Sequence, residues 1–173
     1  MDIRQVTPID EEALQLHMQR HRAESGRGDY HFMPFAPDDT AGPSKIDWSN
    51  YRAPLTEPNW RRDWVAWHGN DIVGHIDLKA SALKSQVHRC ELGVGIERNY
   101  RNQGLGRALM HTAIRFGRSQ ESIAWIDLRV FAHNENARHL YASLGFEEIG
   151  QIRDCIRIGS TSIDDVFMAL NVE

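Results

Sequence analysis

The sequence predicts a mixed α/β domain, because strand-like and helix-like stretches alternate from about residue 60 to the end of the chain. A length of 173 residues is enough for one domain with a continuous core, and no internal repeat or second domain is visible, so residues 1–173 are assigned to a single domain. The predicted strands are 63–68, 72–80, 88–96, 124–131, 147–158 and 162–171, and the predicted helices are 104–119 and 136–144.

Turn residues separate these elements. Gly69-Asn70-Asp71 predicts a hairpin between the first two of these strands, and Gly159-Ser160 predicts another between the last two. Gly145 stands at the usual helix-stop position.

The chain begins with a predicted strand at residues 3–6 and a helix that starts after Thr7 and runs to about residue 21. Leu14 and Met18 share one face of that helix. His17 and His21 are four residues apart and could share a metal, but the carboxylate of an HExxH motif is absent. We therefore expect both histidines to face solvent.

Residues 23–60 carry most of the prolines and scattered aromatic residues without any sustained period, apart from a possible short helix at 48–51. A stretch this long without regular structure is uncommon and usually functional. Two interpretations stay open: a surface excursion held by its aromatic residues, or a loop region that lies over the substrate.

The composition excludes several classes of protein. The formal net charge is −4, from 20 basic and 24 acidic residues, which gives no support to a nucleic-acid partner. No apolar stretch suits a signal peptide or a membrane span, so we expect a cytoplasmic protein with no membrane partner. Cys90 and Cys155 are predicted to be reduced and structural, and without a CxxC pair we expect no metal.

The most informative segment joins strand 88–96 to helix 104–119. Its glycines, Gly104 and Gly106, leave backbone amides uncovered at a helix N-terminus, which favours a phosphate or pyrophosphate. Arg101 and Arg107 add positive charge at the edge. A dinucleotide GxGxxG motif fails because Arg98 stands at its third glycine, and no P-loop motif is present. A plain tight turn remains the alternative.

A second motif follows at Asn134-Glu-Asn-Ala-Arg-His-Leu-Tyr-Ala-Ser-Leu-Gly-Phe146. It resembles the pattern N-x-x-A-x-x-x-Y-x-x-x-G-F of the GNAT superfamily, whose R/Q-x-x-G-x-G/A signature the segment 101–106 also resembles. The resemblance covers about residues 64–172, and from residue 88 onward it is similar to the branch of spermidine, amino-acid and ribosomal-protein N-terminal acetyltransferases.

The resemblance implies a strongly twisted mixed sheet in which strands 88–96 and 124–131 splay apart to admit acetyl-CoA. Gly93 and Gly95 suit a close approach by another group, or relieve crowding against a helix. The backbone of Val94, Gly95 and Ile96 would hydrogen-bond the pantetheine arm. The other cofactor contacts that it implies are Arg101, Asn102, Gln103, Gly104, Leu105, Gly106, Arg107, Asn134, Asn136, Ala137 and Tyr141.

The resemblance also implies the catalytic groups. Tyr141 matches the usual general acid, since a phenol is protonated at neutral pH and can give its proton to a leaving sulfur. The alternative is a core tyrosine. Glu91 would accept the proton of the amine, often through water, unless it is a surface or salt-bridged glutamate. Asp164 and Asp165 could select a cationic amine, or lie solvated at a strand end.

We therefore expect an N-acetyltransferase that moves an acetyl group from acetyl-CoA to a primary amine of a small molecule or peptide, by direct attack in a ternary complex. One alternative is a catalytically silent acyl-CoA-binding sensor, against which the presence of Tyr141 argues. A nucleotide-binding oxidoreductase is disfavoured by the failed third glycine. Polyamine, amino acid, peptide N-terminus and antibiotic all stay open as acceptors, and a homodimer is possible.

Overall fold

One mixed β-sheet organises the protein. The computed structural model describes residues 1–27, 31–36 and 46–173, and within them seven strands follow the order β1-β2-β3-β4-β5-β7-β6. The strands are β1 (Asp2–Gln5), β2 (Arg61–His68), β3 (Asp71–Ala80), β4 (Arg89–Ile96), β5 (Trp125–Phe131), β6 (Glu147–Ile158) and β7 (Thr161–Asn171). The α-helices in these ranges are α1 (Glu11–Glu24), α2 (Trp48–Arg52), α3 (Leu105–Arg118) and α4 (Glu135–Ser143).

The strand directions confirm the predicted fold class. β4 and β5 are parallel, and every other neighbouring pair in the described sheet is antiparallel. A parallel pair needs a crossover, which α3 supplies between β4 and β5. Most predicted boundaries lie within a residue or two of the observed ones.

The two faces of the sheet have different covers. On one face, which we call the α3 face, Leu78 and Leu92 join Leu109 of α3 in the main hydrophobic core. On the other, the α1 face, Leu14 of α1 packs with Val65 in a smaller cluster that α2 helps to close. The side chains of β4 alternate between the two faces, as strand geometry requires.

The central strands separate part-way along their length. The β4–β5 pairing runs from Arg89↔Trp125 to Leu92↔Leu128 and stops there, although the two strands continue to Ile96 and Phe131. β4 remains paired with β3 as far as Ile96. The predicted splay between the central strands is therefore present, and we call the opening beyond Leu92 and Leu128 the fork.

The prediction that His17 and His21 face solvent is wrong. Their exposed fractions are 0% and 5%, and both rings lie between α1 and the sheet. The physical reason is helical spacing: both follow Leu14 on the buried face of α1 at intervals of three and four residues. His17 Nε2 lies 2.8 Å from His75 Nδ1, and His17 Nδ1 lies 2.8 Å from Glu97 Oε1.

The segment 23–60 is partly regular. α1 extends into it as far as Glu24, and α2 forms where the short helix was predicted. Trp48 and Tyr51 pack against the α1-face cluster, and Trp48 Nε1 donates to Glu11 at 2.8 Å. These aromatic residues hold the described part of the segment against the sheet. Residues 28–30 and 37–45, which are part of the proposed substrate-side loop, lie outside the described residues.

Two further expectations concern cysteines and membranes. Cys90 and Cys155 are both free thiols, as predicted, and burial raises the pKa of the Cys90 thiol to about 12. None of the helices in the described ranges has the length and apolar character needed to cross a bilayer.

Candidate active site

The N-terminus of α3 opens toward the mouth of the fork. Gly104 is its N-cap, with φ +81° and ψ −6°, and no side chain caps the helix there. The first N–H groups of a helix have no partner within the helix. A Cβ added at Gly104 would meet nothing within 4 Å, so the space in front of these amides is open. This local geometry suits an anionic ligand.

Close packing joins three elements beside this opening. A Cβ on Gly106 would lie 3.3 Å from Ile96 Cδ1 of β4 and 3.3 Å from Leu140 Cδ2 of α4. Arg107 Nη2 donates to Ser143 Oγ at 2.9 Å, which ties α3 to α4. The second glycine of the motif therefore lets α3 approach both β4 and α4, and Arg107 lies at the edge of the opening.

Two side chains of the glycine-rich loop have structural roles that the sequence did not indicate. Arg101 Nε donates to the Ile96 carbonyl at 2.8 Å, and its Nη2 pairs with Glu24 at 3.0 Å. Gln103 Nε2 donates to the Asn99 carbonyl at 2.8 Å. Both side chains hold the shape of the loop, so the backbone of Asn102, Gly104 and Leu105 carries most of its capacity to bind an anion.

Asn134 is the N-cap of α4. Its Oδ1 accepts a hydrogen bond from Ala137 N at 3.3 Å, a standard way to satisfy the first turn of a helix. Asn136 is exposed and Ala137 half-buried in that same turn. The Asn-x-x-Ala part of the motif thus has a structural explanation, and its contact with a cofactor stays a prediction.

Tyr141 lies on the inner face of α4 and is 7% exposed. Burial raises the pKa of its phenol to about 12, so the hydroxyl is protonated at neutral pH. The ring lies 6.1 Å from that of Phe146. No described residue forms a hydrogen bond with the hydroxyl, whereas buried tyrosine hydroxyls usually have a partner. Tyr141 therefore combines a core position with an available proton donor.

The two glycines of β4 make room for side chains on the α1 face. A Cβ on Gly93 would lie 2.7 Å from Asp77 Oδ1. A Cβ on Gly95 would lie 2.4 Å from His75 Cε1 and 2.5 Å from His21 Nε2. Two explanations were open for these glycines: close approach by a ligand, or relief of crowding. On this face the contacts support relief of crowding, because the approaching side chains belong to β3 and α1.

Glu91 lies on the α1 face of β4, just before the fork. Its side chain is half-exposed, and Oε1 lies 3.4 Å from Lys79 Nζ. It borders an open cavity of about 460 Å³ between β3, β4, β5 and β7. Charged and aromatic side chains line this cavity, among them Lys79, Arg89, Glu91, Asp127, Arg129 and Phe167. Glu91 is thus accessible to a ligand and is also salt-bridged.

The carboxylates of β7 already have protein partners. Asp165 is buried and pairs with Arg129 Nη2 at 2.5 Å. Asp164 accepts from Gln151 Nε2 and from Asp154 N, both at 2.8 Å, where β6 is irregular. These contacts give Asp164 and Oδ2 of Asp165 a role in the sheet, whereas the buried Oδ1 of Asp165 has no hydrogen-bond partner among the described residues.

A row of buried polar residues on the α1 face was not predicted from the sequence. His75 and Asp77 of β3 stand opposite Gly95 and Gly93 of β4. A signal was available, because polar residues alternate with apolar ones along β3 and both partner positions on β4 are glycines. In the described part of the chain, no group of three or more His, Cys, Asp or Glu residues is arranged to hold a metal ion.

Comparison with known proteins identifies the family. The model of the acetyltransferase (GNAT) family matches residues 28–146. The chain therefore belongs to this family.

Relatives with curated names share part of the chain. This chain is 27% identical over 105 residues to the L-amino acid N-acetyltransferase AaaT of Escherichia coli. The matched region covers 61% of this chain and 65% of that protein. The chain is 30% identical over 100 residues to the [ribosomal protein uS5]-alanine N-acetyltransferase of Escherichia coli, covering 58% of this chain and 51% of that one. The matched regions thus span between half and two thirds of these relatives.

Solved structures share the whole fold. A GNAT-family acetyltransferase from Streptococcus pneumoniae superposes with a TM-score of 0.85 and 23% identity, over 99% of both chains. The yncA protein of Salmonella typhimurium, whose structure holds its cofactor acetyl-CoA, gives a TM-score of 0.76 and 17% identity, over 100% of this chain and 94% of that one.

Proposed function

We propose that this protein is an acetyl-CoA-dependent N-acetyltransferase acting on a primary amine. The observation that carries the proposal is the fork, which opens beside an uncapped helix N-terminus. Tyr141, largely buried on α4, adds a hydroxyl that has no hydrogen-bond partner in the described structure. Membership of the acetyltransferase (GNAT) family and the names of the two relatives agree with it.

The residues present suit coenzyme A. The open space at Gly104 places the first amides of α3 where a pyrophosphate can accept their hydrogen bonds. Beyond Leu92, the edge of β4 that faces β5 is not covered by that strand, so the backbone of Val94–Ile96 can pair with an amide-containing arm as a sheet edge pairs with a strand. Arg107 adds positive charge at the entrance.

The chemistry assigns roles to two side chains. Bound acetyl-CoA supplies a thioester, so that a C–S bond breaks as the amine nitrogen forms its bond to the acetyl carbon and sulfur leaves as a thiolate. Tyr141 can donate its phenolic proton to that sulfur and regain one from the nitrogen. Glu91, on the opposite face at the cavity, can attract an ammonium group and accept the proton that it must lose before attack.

The acceptor class is a small molecule or a peptide bearing a primary amine. The substrates in the names of the two relatives, an L-amino acid and the alanine of a ribosomal protein, both carry an amine. A silent acyl-CoA sensor is the second candidate. It is disfavoured because a sensor needs no proton donor at the position of Tyr141.

The first prediction tests the binding of acetyl-CoA. Saturating acetyl-CoA should raise the melting temperature, since a ligand at a hundred times its Kd stabilises the folded state by about 2.7 kcal/mol. Gly104→Ala should lose most of that shift, because its Cβ would occupy the space in front of the amides. Differential scanning fluorimetry measures this, with NAD as a ligand expected to give a much smaller shift.

Gly159→Ala is the matched control. Gly159 also has a positive φ, +59°, and open space at its Cβ position, but it lies in the β6–β7 turn. It should lose stability as Gly104→Ala does and keep the full acetyl-CoA shift. Equal shifts in the two variants, or an equal effect of NAD, would contradict the assignment of the α3 N-terminus.

A further inference from the structure

Asp77 is a buried carboxylate that the protein leaves poorly satisfied. It is 8% exposed, and among the hydrogen bonds of the described residues none ends on its carboxylate. It forms one ion pair, in which Arg61 Nη2 lies 3.4 Å from Oδ2. A buried carboxylate normally accepts several hydrogen bonds, because its desolvation is otherwise costly.

Asp10 is a buried carboxylate that is fully hydrogen-bonded, and it serves as a comparison for Asp77. It is 4% exposed and accepts hydrogen bonds from Arg4 at 2.6 and 2.8 Å and from Thr7 N at 2.9 Å. These bonds, chiefly the one from Arg4, lower its pKa to about 2. Burial instead raises the pKa of Asp77 to about 7. Two carboxyl groups of similarly low solvent exposure therefore have pKa values that are shifted in opposite directions.

The neighbouring charged groups do not cancel the effect of burial on the pKa of Asp77. From β2, Arg61 lowers its pKa and Asp63 raises it. Arg61 is shared, since its Nε donates to Asp63 Oδ1 at 2.8 Å, and Tyr51 of α2 donates to Asp63 Oδ2 at 2.7 Å. Asp63 thus accepts the two short hydrogen bonds from Arg61 and Tyr51, whereas Asp77 has only the longer ion pair with Arg61.

Two further charges on the same face act weakly and in opposite directions. Lys79 lowers the pKa of Asp77 and Glu91 raises it. These two are ion-paired with each other. The charged and titratable groups around Asp77 therefore come from α2, β2, β3 and β4. Their effects on its pKa oppose one another, so burial has the largest effect.

The position of Asp77 is at the fork. It stands opposite Gly93, the first residue of β4 after its ladder with β5 ends. Its Oδ1 lies 2.7 Å from the place where a Cβ of Gly93 would be, so the carboxylate lies over the bare backbone there. Glu91 is two residues earlier on the same face of β4, bordering the cavity. The two carboxylates are diagonal neighbours across the β3–β4 pair.

We propose that Asp77 is a further catalytic carboxylate, whose Oδ1 hydrogen-bonds the acceptor's ammonium group at the fork and, in place of Glu91, takes the one proton that this group loses before attack, while Glu91 attracts the cation at the cavity. The inference rests on the proposed function. The proton moves from nitrogen to the carboxylate oxygen, the N–H electron pair becomes the lone pair of a neutral amine, and the carboxylic acid later returns the proton to solvent. A carboxyl group that titrates near the working pH is well matched to this task.

The test is the pH dependence of kcat/KM for the acceptor amine, with thiol release from acetyl-CoA as the readout. In the natural protein kcat/KM should fall about tenfold per pH unit below about pH 7, because the carboxylate must be ionised. Asp77→Asn should lower kcat by about 10²–10³-fold and move this fall to lower pH. Glu91→Gln should lower the rate and leave the fall in place.

Asp63→Asn tests whether the ionising group is Asp77. It removes a negative charge that raises the Asp77 pKa, while the amide oxygen can still accept from Arg61 and the amide NH2 can donate to the Tyr51 hydroxyl. The fall in kcat/KM should therefore shift to lower pH with activity retained. A residue that only supported the fold would not produce this shift.

Melting temperature separates catalysis from structure. Asp77→Asn removes a charge whose ionisation burial disfavours, and Arg61 keeps its hydrogen bond to Asp63, so at pH 8 it should melt at the same or a higher temperature. Asp10→Asn is the matched control: it should melt lower and keep its specific activity. Loss of activity in Asp77→Asn together with a lowered melting temperature, or an unchanged rate and pH profile, would overturn the inference. If the natural protein releases no thiol with any amine, the proposed function itself fails.

Discussion

Tyr141→Phe should reduce turnover by about 10²–10⁴-fold, the range typical of a lost general acid. The reason is that only the hydroxyl is removed, and no described residue hydrogen-bonds it. The ring, which fills a buried position beside Phe146, is retained. Initial rates of thiol release at saturating acetyl-CoA and amine measure this effect directly.

Two controls separate catalysis from packing in that variant. The melting temperature of Tyr141→Phe should be unchanged, since an unpaired hydroxyl contributes little to stability. The Kd for acetyl-CoA should also change little. If the variant unfolds more easily while its folded fraction keeps normal turnover, Tyr141 is a core residue and the acid lies elsewhere.

Acid should destabilise the protein between about pH 6 and pH 4.5. Burial lowers the pKa of His17, His21 and His75, the second of them to about 3 and the third well below its usual value. In this range the unfolded state binds protons at these positions that the folded histidines, above all His21 and His75, do not. Asp77, with its pKa raised to about 7, acts in the opposite sense, because the folded state holds a proton there that the unfolded state has lost.

His21 and His75 together account for about two such protons and Asp77 offsets one, so the net difference is at least about one proton in favour of the unfolded state. Each proton contributes about 1.4 kcal/mol per pH unit, so the free energy of unfolding should fall by at least about 1.4 kcal/mol for each unit of acidification. Urea unfolding at a series of pH values measures this slope. A flat profile over this range would show that the histidines are protonated in the folded state.

His21→Leu identifies one of the contributing protons. His21 Nδ1 is buried without a hydrogen-bond partner among the described residues, so its replacement by an apolar side chain should preserve stability at pH 7. The slope below pH 6 should decrease by about one proton. An unchanged slope would assign the acid sensitivity to other groups.

The fold was predictable where the pattern is local. The helix predicted at 136–144 is α4 at Glu135–Ser143, and the strand predicted at 147–158 has the observed bounds of β6. In both cases the turn glycines and the spacing of apolar residues lie within one short stretch. The positions of His17 and His21 were not predicted, because α1 carries polar residues on its buried face and polarity then argues for the wrong side.

The site was predictable from its motifs only in outline. The motif glycines do lie at the start of α3, and Tyr141 does point inward from α4. The contacts of Arg101 with Glu24 depend on how α1 docks, which no local pattern reveals. Asp77 was missed for a related reason. Its position over Gly93 depends on the register between β3 and β4, and register is a non-local property of the sheet.

One measurement tests the central claim most directly: purified protein is incubated with acetyl-CoA and a panel of polyamines, amino acids, peptides and aminoglycosides, and both free thiol and acetylated amine are quantified. The account predicts amine-dependent thiol release, matched one to one by an N-acetylated product and largely lost in Tyr141→Phe. Binding of acetyl-CoA with no thiol release for any amine would contradict it and would favour a silent acyl-CoA sensor.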